Sequence, residues 1–561
     1  MKIDDPRQLL HSAMQHFHAG QLEQADFLCR TALKGHNSAD GWHLLGMIAL
    51  RSGRIEEAAS CLKKCTKRQP DNPAALCSLG IAYKALGRLS EAATAFEQAA
   101  RADPRSSQIL YNLGNARTAS GEFKAAITAY RQALTLDPSR PEYHTNLIFA
   151  LNFDPAAGPE DHQRERLSYG DMQRAQTAPA PAAESRPYDP ERRLRVGYVS
   201  AHFRHQAATY AFAPVIINHD PTAFDVVCYS DTAIEDDLTR RLRGHVKTWR
   251  ATATLSDAEL IALIRADDID ILVDLVGHMV GNRLEVFARK PAPVQVTGWG
   301  EPTGTGLTTM DYLLADPVLV PPDMRFRLRE EVIDLPCFLS FWTPEPLPDP
   351  GPLPALAAGH VTFGSFNRPE KLSDPVLRLW AAMLRALPNA RLVLKSSSFG
   401  NAAHQQRIRS VFQREGIKSS RLTILGDTDR DAHMLAYRTV DVALDPFPHG
   451  GGMTTLDAIA MGIPVITCPG PTISSRLAAA CVTAVGLPDW VAPNHDDYVA
   501  LAARMTTDLD GLARLRGSLR DRLMRSSVGD TRSYAHAVEA AYRDMWRRCC
   551  ARAQDSGLEV S

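Results

Sequence analysis

The chain of 561 residues has no long apolar run, and no window approaches the roughly 18 uninterrupted apolar residues of a membrane span. Its opening residues, MKIDDPRQLLHSAMQ, carry no apolar signal core. Net charge is nearly absent at −1, so nothing draws the chain as a whole to nucleic acid or to a membrane surface. Ten cysteines are scattered without a Cys-x-x-Cys pair, and Cys61 and Cys65 stand one helical turn apart as packing residues. That excludes a disulfide framework or structural zinc as the organising device and leads to the expectation of a cytoplasmic protein. What the sequence does have is 45% hydrophobic and 23% charged residues over a length that suits three or four ordinary domains.

The first 150 residues are periodic. Gly20, Gly53, Gly87 and Gly121 recur at spacings of 33, 34 and 34, each followed five residues on by Ala25, Ala58, Ala92 or Ala126. Gly46, Gly80 and Gly114 form a second register and Pro70, Pro104 and Pro138 a third, both with period 34. Small residues at fixed slots and a proline after each helix pair are the pattern of the tetratricopeptide repeat. One such unit cannot bury its apolar face, so about four must stack into an α-superhelix. The array is expected to hold an acceptor protein or peptide in its groove; a structural or homodimer-forming arm is the alternative. Asn112 and Asn146 share an inner-face slot and are candidates to hold a peptide backbone, whereas Leu44 and Ser78 break that series.

Beyond Asn152 the composition changes. Residues 153–191 read as a linker, including TAPAPAAESRPYDP. Short β-branched runs follow at 194–200, 224–230, 269–277, 293–300 and 310–316, then a proline-dense hinge at 346–358, then further runs at 360–366, 390–396, 421–426, 441–446 and 463–469. Strands alternating with amphipathic stretches predict parallel sheets. The fold class is therefore α plus α/β: a repeat array over 1–152, a Rossmann-like lobe over 192–345, a second lobe with a closing helix over 359–552 and a tail at 553–561. Ligands of such lobes lie at strand carboxyl ends. HFRHQ (202–206), GHMVGNR (277–283), GEPTGTG (300–306), NRPEK (367–371) and HGGGMTTLDAIAMGIPVIT (449–467) all fall there. The last has no phosphate-loop lysine, since Met453 follows the glycines. It keeps the elements that suit a nucleotide: Gly451 and Gly452 for close approach, a helix start, Thr454 and Thr455 as hydroxyl donors, and Asp457 for a ribose. A plain strand–loop–helix turn is the alternative.

The repeats together with VGYVSAHF, NRLEVFARKPAPVQV, GSFNRPEKLSD and LDPFPHGGGMTTLDAIAMGIPVIT resemble the protein O-GlcNAc transferases and their SPINDLY-type protein O-fucosyltransferase relatives. The resemblance implies a GT-B unit, an inverting transfer without a metal or other cofactor, and a nucleotide-sugar donor, UDP-GlcNAc, whose sugar goes to Ser or Thr of a protein. It implies that Lys371 meets the donor diphosphate, with Asn367, Thr454, Thr455, Asp457 and His433 around the nucleotide. A fixed cation at the departing diphosphate suits that chemistry. GDP-fucose or UDP-glucose as donor, or a repeat scaffold with a weakened catalytic half, are the rival readings.

Two positions depart from the family. Gln206 stands where most members carry a histidine, which makes His205, and after it His202, the candidate base, with His278 as the alternative imidazole. Arg368 stands where an uncharged amide is usual. Asp268/Asp270 and Asp427/Asp429/Asp431 have the spacing of metal-binding carboxylates, but are expected to cap turns and helices.

Overall fold

The computed structural model describes residues 5–177, 189–343 and 345–555, and the chain divides into two compact units, Met1–Ala150 and Leu151–Ser561. The first unit consists of antiparallel helix pairs: α1 (Pro6–His18) with α2 (Leu22–Gly35), α3 (Ala39–Arg51) with α4 (Ile55–Arg68), α5 (Pro73–Ala85) with α6 (Leu89–Ala102) and α7 (Ser107–Ala119) with α8 (Phe123–Leu136). A further helix, α9 (Pro141–Leu151), begins after them. The glycine registers have two distinct causes. Gly20, Gly53, Gly87 and Gly121 make the turns within the pairs at φ between 71° and 77°, where an L side chain is strained. Gly46, Gly80 and Gly114 are helical, and a Cβ on them would meet Leu62, Phe96 and Tyr130 at 2.4–2.7 Å. They let each pair of helices close, and Ala25, Ala58, Ala92 and Ala126 are fully buried. The amides of Asn112 and Asn146 also tie neighbouring repeats together: Asn112 donates to Cys77 Sγ at 3.4 Å, and Asn146 to Asn115 Oδ1 at 2.7 Å and the Tyr111 hydroxyl at 3.0 Å.

The second unit opens with α10 (Pro159–Gln176) and then builds its first lobe. The elements are β1 (Leu194–Ser200), α11 (Ala207–Asn218), β2 (Phe224–Ser230), α12 (Asp237–His245), β3 (Thr248–Ala251), α13 (Asp257–Ala266), β4 (Ile271–Asp274), α14 (Leu284–Ala288), β5 (Val294–Thr297), β6 (Tyr312–Ala315), α15 (Pro322–Arg325) and β7 (Glu331–Asp334). All strands pair in parallel in the order β3-β2-β1-β4-β5-β6-β7. After α16 (Pro354–Ala358) the second lobe runs β8 (Thr362–Ser365), α17 (Asp374–Ala386), β9 (Arg391–Lys395), α18 (Ala402–Arg414), β10 (Leu422–Leu425), α19 (Arg430–Ala436), β11 (Val442–Leu444), α20 (Met453–Ala460) and β12 (Val465–Ile466), with α21 (Leu477–Ala484), α22 (His495–Met505) and α23 (Leu509–Arg525) beyond. Its parallel sheet has the order β10-β9-β8-β11-β12. Strand order reverses at β1/β4 in one sheet and at β8/β11 in the other, and loops after those four strands flank the crevices where such sheets take ligands.

Two expectations are corrected, and two strands are added. Residues 153–191 are not simply a linker, because α10 occupies Pro159–Gln176 and packs closely: a Cβ on Gly170 would lie 1.8 Å from the Gly306 carbonyl oxygen. Arg166, 2% exposed, donates to Thr303 Oγ1 at 2.6 Å and the Gly304 carbonyl at 3.1 Å. The rest of TAPAPAAESRPYDP, residues 178–188, lies outside the described residues. The closing helix α24 (Thr531–Asp555) returns to the first lobe rather than completing the second: Glu539 accepts from the Asp220 N–H at 2.7 Å and Tyr542 meets the Tyr198 hydroxyl at 3.3 Å. It runs into the stretch read as tail. Finally, the edge strands β3 and β7 were not foreseen; both are partly exposed along their length and lack the apolar signature of the central strands.

Candidate active site

The loop after β8 carries Asn367 and then a short 3-10 turn, Pro369–Lys371, which brings Lys371 against the glycine loop after β11. Lys371 Nζ donates to the Gly450 carbonyl at 2.6 Å. Burial lowers the proton affinity of this amine, the neighbouring Arg368 charge adds to that, and Asp445 opposes it. Asp445, at the end of β11, is a buried carboxylate pushed upward by the same desolvation. Its oxygens accept from the Gly451 N–H at 2.7 Å and from Thr467 Oγ1 at 2.8 Å. The 450–451 peptide is thus gripped at its carbonyl by a cation and at its N–H by an anion.

This divides the residues expected at the nucleotide into two groups. Gly451 and Thr455 shape the loop from within: the Gly451 N–H goes to Asp445, and Thr455 Oγ1 donates to the Gly451 carbonyl at 3.1 Å. A Cβ on Gly451 would meet Thr454 Oγ1 and Thr455 Oγ1 at 2.6 and 2.7 Å, so this position has no room for a side chain. Gly452 caps α20, whose leading amides have no carbonyl of their own helix to bond. Thr454 Oγ1 donates to Asn367 Oδ1 at 3.1 Å, joining the β8 and β11 loops. Asp457, one turn into α20, has its carboxyl pushed up to about 6 by burial, with the Arg430 charge pulling the other way. His433 lies on α19, edge-on to Phe366 and Tyr437 at 5.5 and 5.8 Å, and those two rings stack at 4.1 Å. Burial, then the charges of Lys395 and Arg430, take its imidazole down to about 4, so it is neutral at neutral pH. Lys371, Asn367, Thr454, Asp457 and His433 therefore gather around the β8/β11 switch point.

In the first lobe the histidines separate. His202 follows β1, is 6% exposed, and burial lowers its imidazole. His205 has both ring nitrogens engaged, Nδ1 with the Tyr210 hydroxyl at 2.6 Å and Nε2 with Asp237 at 3.0 Å. His278 is 1% exposed, its Nε2 2.9 Å from the Thr305 carbonyl and its ring edge-on to Tyr169. Gln206 starts α11 with a buried Oε1 that finds no hydrogen-bond partner. Asp270 accepts from the Arg195 N–H at 2.8 Å and pairs with Arg192, while Asp429 caps α19 through the Ala432 N–H at 2.8 Å. Among the described residues, the one group with metal-compatible geometry is His205, Asp236 and Asp237.

The glycosyl transferase family 41 model matches residues 173–338 and 353–538, and a cilia- and flagella-associated protein 70 C-terminal domain model matches residues 10–146. A solved structure of a Thermobaculum terrenum O-GlcNAc transferase mutant is 36% identical, with a TM-score of 0.81 over 92% of this chain and 98% of that one. The chain belongs to glycosyl transferase family 41. SPINDLY of Arabidopsis thaliana, described as a "probable UDP-N-acetylglucosamine–peptide N-acetylglucosaminyltransferase", is 39% identical over 64% of this chain and 40% of its own length. A Caenorhabditis elegans UDP-N-acetylglucosamine–peptide N-acetylglucosaminyltransferase is 23% identical over 66% of this chain and 41% of its own. The chain spans about two fifths of the length of these curated relatives.

Four residues around these groups were not singled out from sequence. Asp445 stood in plain view at the end of the run DVALDP, but its partners come from Gly451 and Thr467. His449 sits with Nδ1 3.0 Å from the Gly450 carbonyl, its ring stacked on Phe153 at 4.9 Å. Tyr210 and Arg430, from different lobes, face each other with the guanidinium 5.0 Å from the ring centre. No local pattern pairs them, because 220 positions separate the two.

Proposed function

We propose that this family 41 glycosyltransferase moves GlcNAc from UDP-GlcNAc to Ser or Thr hydroxyls of proteins, inverting the anomeric centre and using no metal. The observation that carries the reading is Lys371: a cation on a loop carbonyl at the β8/β11 switch point, beside the Asn367–Thr454 pair and the start of α20. In the resting site its ammonium has a neutral carbonyl as hydrogen-bond partner. A diphosphate leaving group offers a much stronger one, and the charge that builds on it as the glycosidic bond breaks is stabilised most at the transition state. Asp457 suits a ribose hydroxyl, and neutral His433 with the Phe366 and Tyr437 rings makes an aromatic end for the base. The repeat array is assigned to the protein acceptor.

GDP-fucose is the rival donor that the SPINDLY-type resemblance implies, although the SPINDLY and SEC relatives of Arabidopsis thaliana, at 39% and 27% identity, are both described as probable UDP-N-acetylglucosamine transferases. Nucleotide release measured with UDP-GlcNAc, GDP-fucose and UDP-glucose, each with protein acceptor, decides between them. Release from UDP-GlcNAc alone supports the first reading. Release from GDP-fucose alone replaces it. No release from any, with UDP and GDP both unbound, sinks the donor-site assignment.

A further inference from the structure

Sequence position makes His205 the candidate base, yet neither of its ring nitrogens is open to a substrate hydroxyl. Nδ1 is held by the Tyr210 hydroxyl, Nε2 by Asp237, and the His205 backbone N–H donates to Asp236 at 2.6 Å. What this arrangement fixes is the ring of Tyr210. That ring lies on α11 of the first lobe, with its face against the guanidinium of Arg430, the first residue of α19 in the second lobe. Trp342, from the connection between the lobes, tilts against the same ring at 6.4 Å. Arg430 also reaches that connection, 3.5 Å from Thr343 Oγ1 and 3.9 Å from a Glu345 carboxylate oxygen. In the other direction Arg430 stands one helical turn before His433 on α19, and its charge opposes the burial that pushes the Asp457 carboxyl up. One guanidinium therefore meets the first lobe, the connection and the nucleotide end of the second lobe.

We propose that Asp237, His205 and Tyr210 form a first-lobe clasp that positions Arg430 beside Asp457 and His433, so that His205 governs nucleotide-diphosphate affinity without touching nucleotide. The physical logic has three steps. The carboxylate of Asp237 orients the imidazole, the imidazole takes the phenol and fixes the ring plane, and the ring face holds a guanidinium by its quadrupole. A guanidinium stacked this way keeps its in-plane N–H donors free for oxygen acceptors. The inference rests on the donor-site reading above, but acts through residues that reading does not use.

The test is binding of UDP and GDP to the full chain by calorimetry, alongside steady-state transfer with the preferred donor. Tyr210→Ala and Arg430→Ala should each raise the Kd of the bound nucleotide about 5- to 20-fold, and the double variant should lose little more than either alone. Tyr210→Phe, which removes the hydrogen bond that fixes the ring, and His205→Ala, which removes the imidazole that makes it, should each raise it about 2- to 5-fold. Thermal melts confirm folding, and Tyr210→Phe preserves packing should Tyr210→Ala fail to fold. A fall of about 10²-fold or more in kcat for His205→Ala at unchanged Kd would make it a base and overturn the clasp. Additive losses for Tyr210→Ala and Arg430→Ala would also overturn it. Lys371→Ala and Asp457→Ala separate the two levels of inference. If neither weakens nucleotide binding, the donor site itself is misplaced. If both do while the His205 and Tyr210 variants do not, the clasp alone fails.

Discussion

Replacing Lys371 by alanine removes a cation where the proposed reaction builds negative charge, and the size of the effect can be bounded. Two unit charges about 4 Å apart at an effective dielectric near 20 interact by about 4 kcal/mol. Removing one transition-state donor from enzymes of other kinds costs about 2.7–4 kcal/mol, or roughly 10²–10³ in kcat. Both estimates predict that Lys371→Ala loses transfer by two to three orders of magnitude. Stability should change little. The Gly450 carbonyl loses one donor but still has His449 Nδ1 at 3.0 Å, and Asp445 keeps its bonds to Gly451 and Thr467. The variant also sheds an amine whose charged form folding disfavours. The same burial has a pH signature in the wild type. With the amine's proton affinity lowered in the empty site and restored by diphosphate, nucleotide binding takes up a proton. Affinity then falls as pH rises through the alkaline side of neutrality. Calorimetry in buffers of different ionisation enthalpy reads the uptake, and single-turnover transfer reads the rate. A folded variant with near-normal turnover, or wild-type binding without proton uptake, would refute the reasoning.

Transfer should survive excess EDTA, because Lys371 and the start of α20 occupy the place a metal would take; loss on chelation with recovery in Mg²⁺ or Mn²⁺ would direct attention to His205, Asp236 and Asp237. Deleting residues 1–150, which form a compact unit of their own, should depress modification of whole proteins far more than donor hydrolysis, as measured side by side. Gly114→Ala would drive a methyl to 2.4 Å from the Tyr130 ring and should destabilise the array by about 1–3 kcal/mol, read by denaturant melts monitored by circular dichroism. His433 and His162 are held down to about 4 and about 3, so the unfolded chain takes their protons first as pH falls below about 6.5. Stability should drop through that window, and His433→Gln should blunt the loss; an unchanged acid profile would contradict its burial.

The period of 34 was enough to define the repeats, because two physical demands recur in every unit. A left-handed turn and a methyl-sized gap between helices each exclude all but glycine or another small residue, wherever the chain is read. The central strands were legible for a related reason: β1, β2 and β4 are largely apolar and buried along nearly their whole length, and their ends mark where loops must carry ligand chemistry. Helix α10 escaped that reading because its buried face is polar. His162, Arg166, Tyr169 and Gln173 fall at helical spacing, but they are satisfied by the 303–304 loop and by one another, which no hydrophobic period announces. The same limit applied within the site. Sequence placed Lys371, Asn367, Thr454 and Asp457 in or beside loops at strand ends, since the alternation of strand, loop and helix is a local property, whereas His433 entered only through the family resemblance. It could not tell that Thr455 and Gly451 bond inward to their own loop, that Asp445 holds the peptide Lys371 touches, or that His205 is bound at both nitrogens. Those roles depend on which groups meet across tens to hundreds of residues, and only the packing of two sheets and their connecting helices brings such partners within hydrogen-bonding distance.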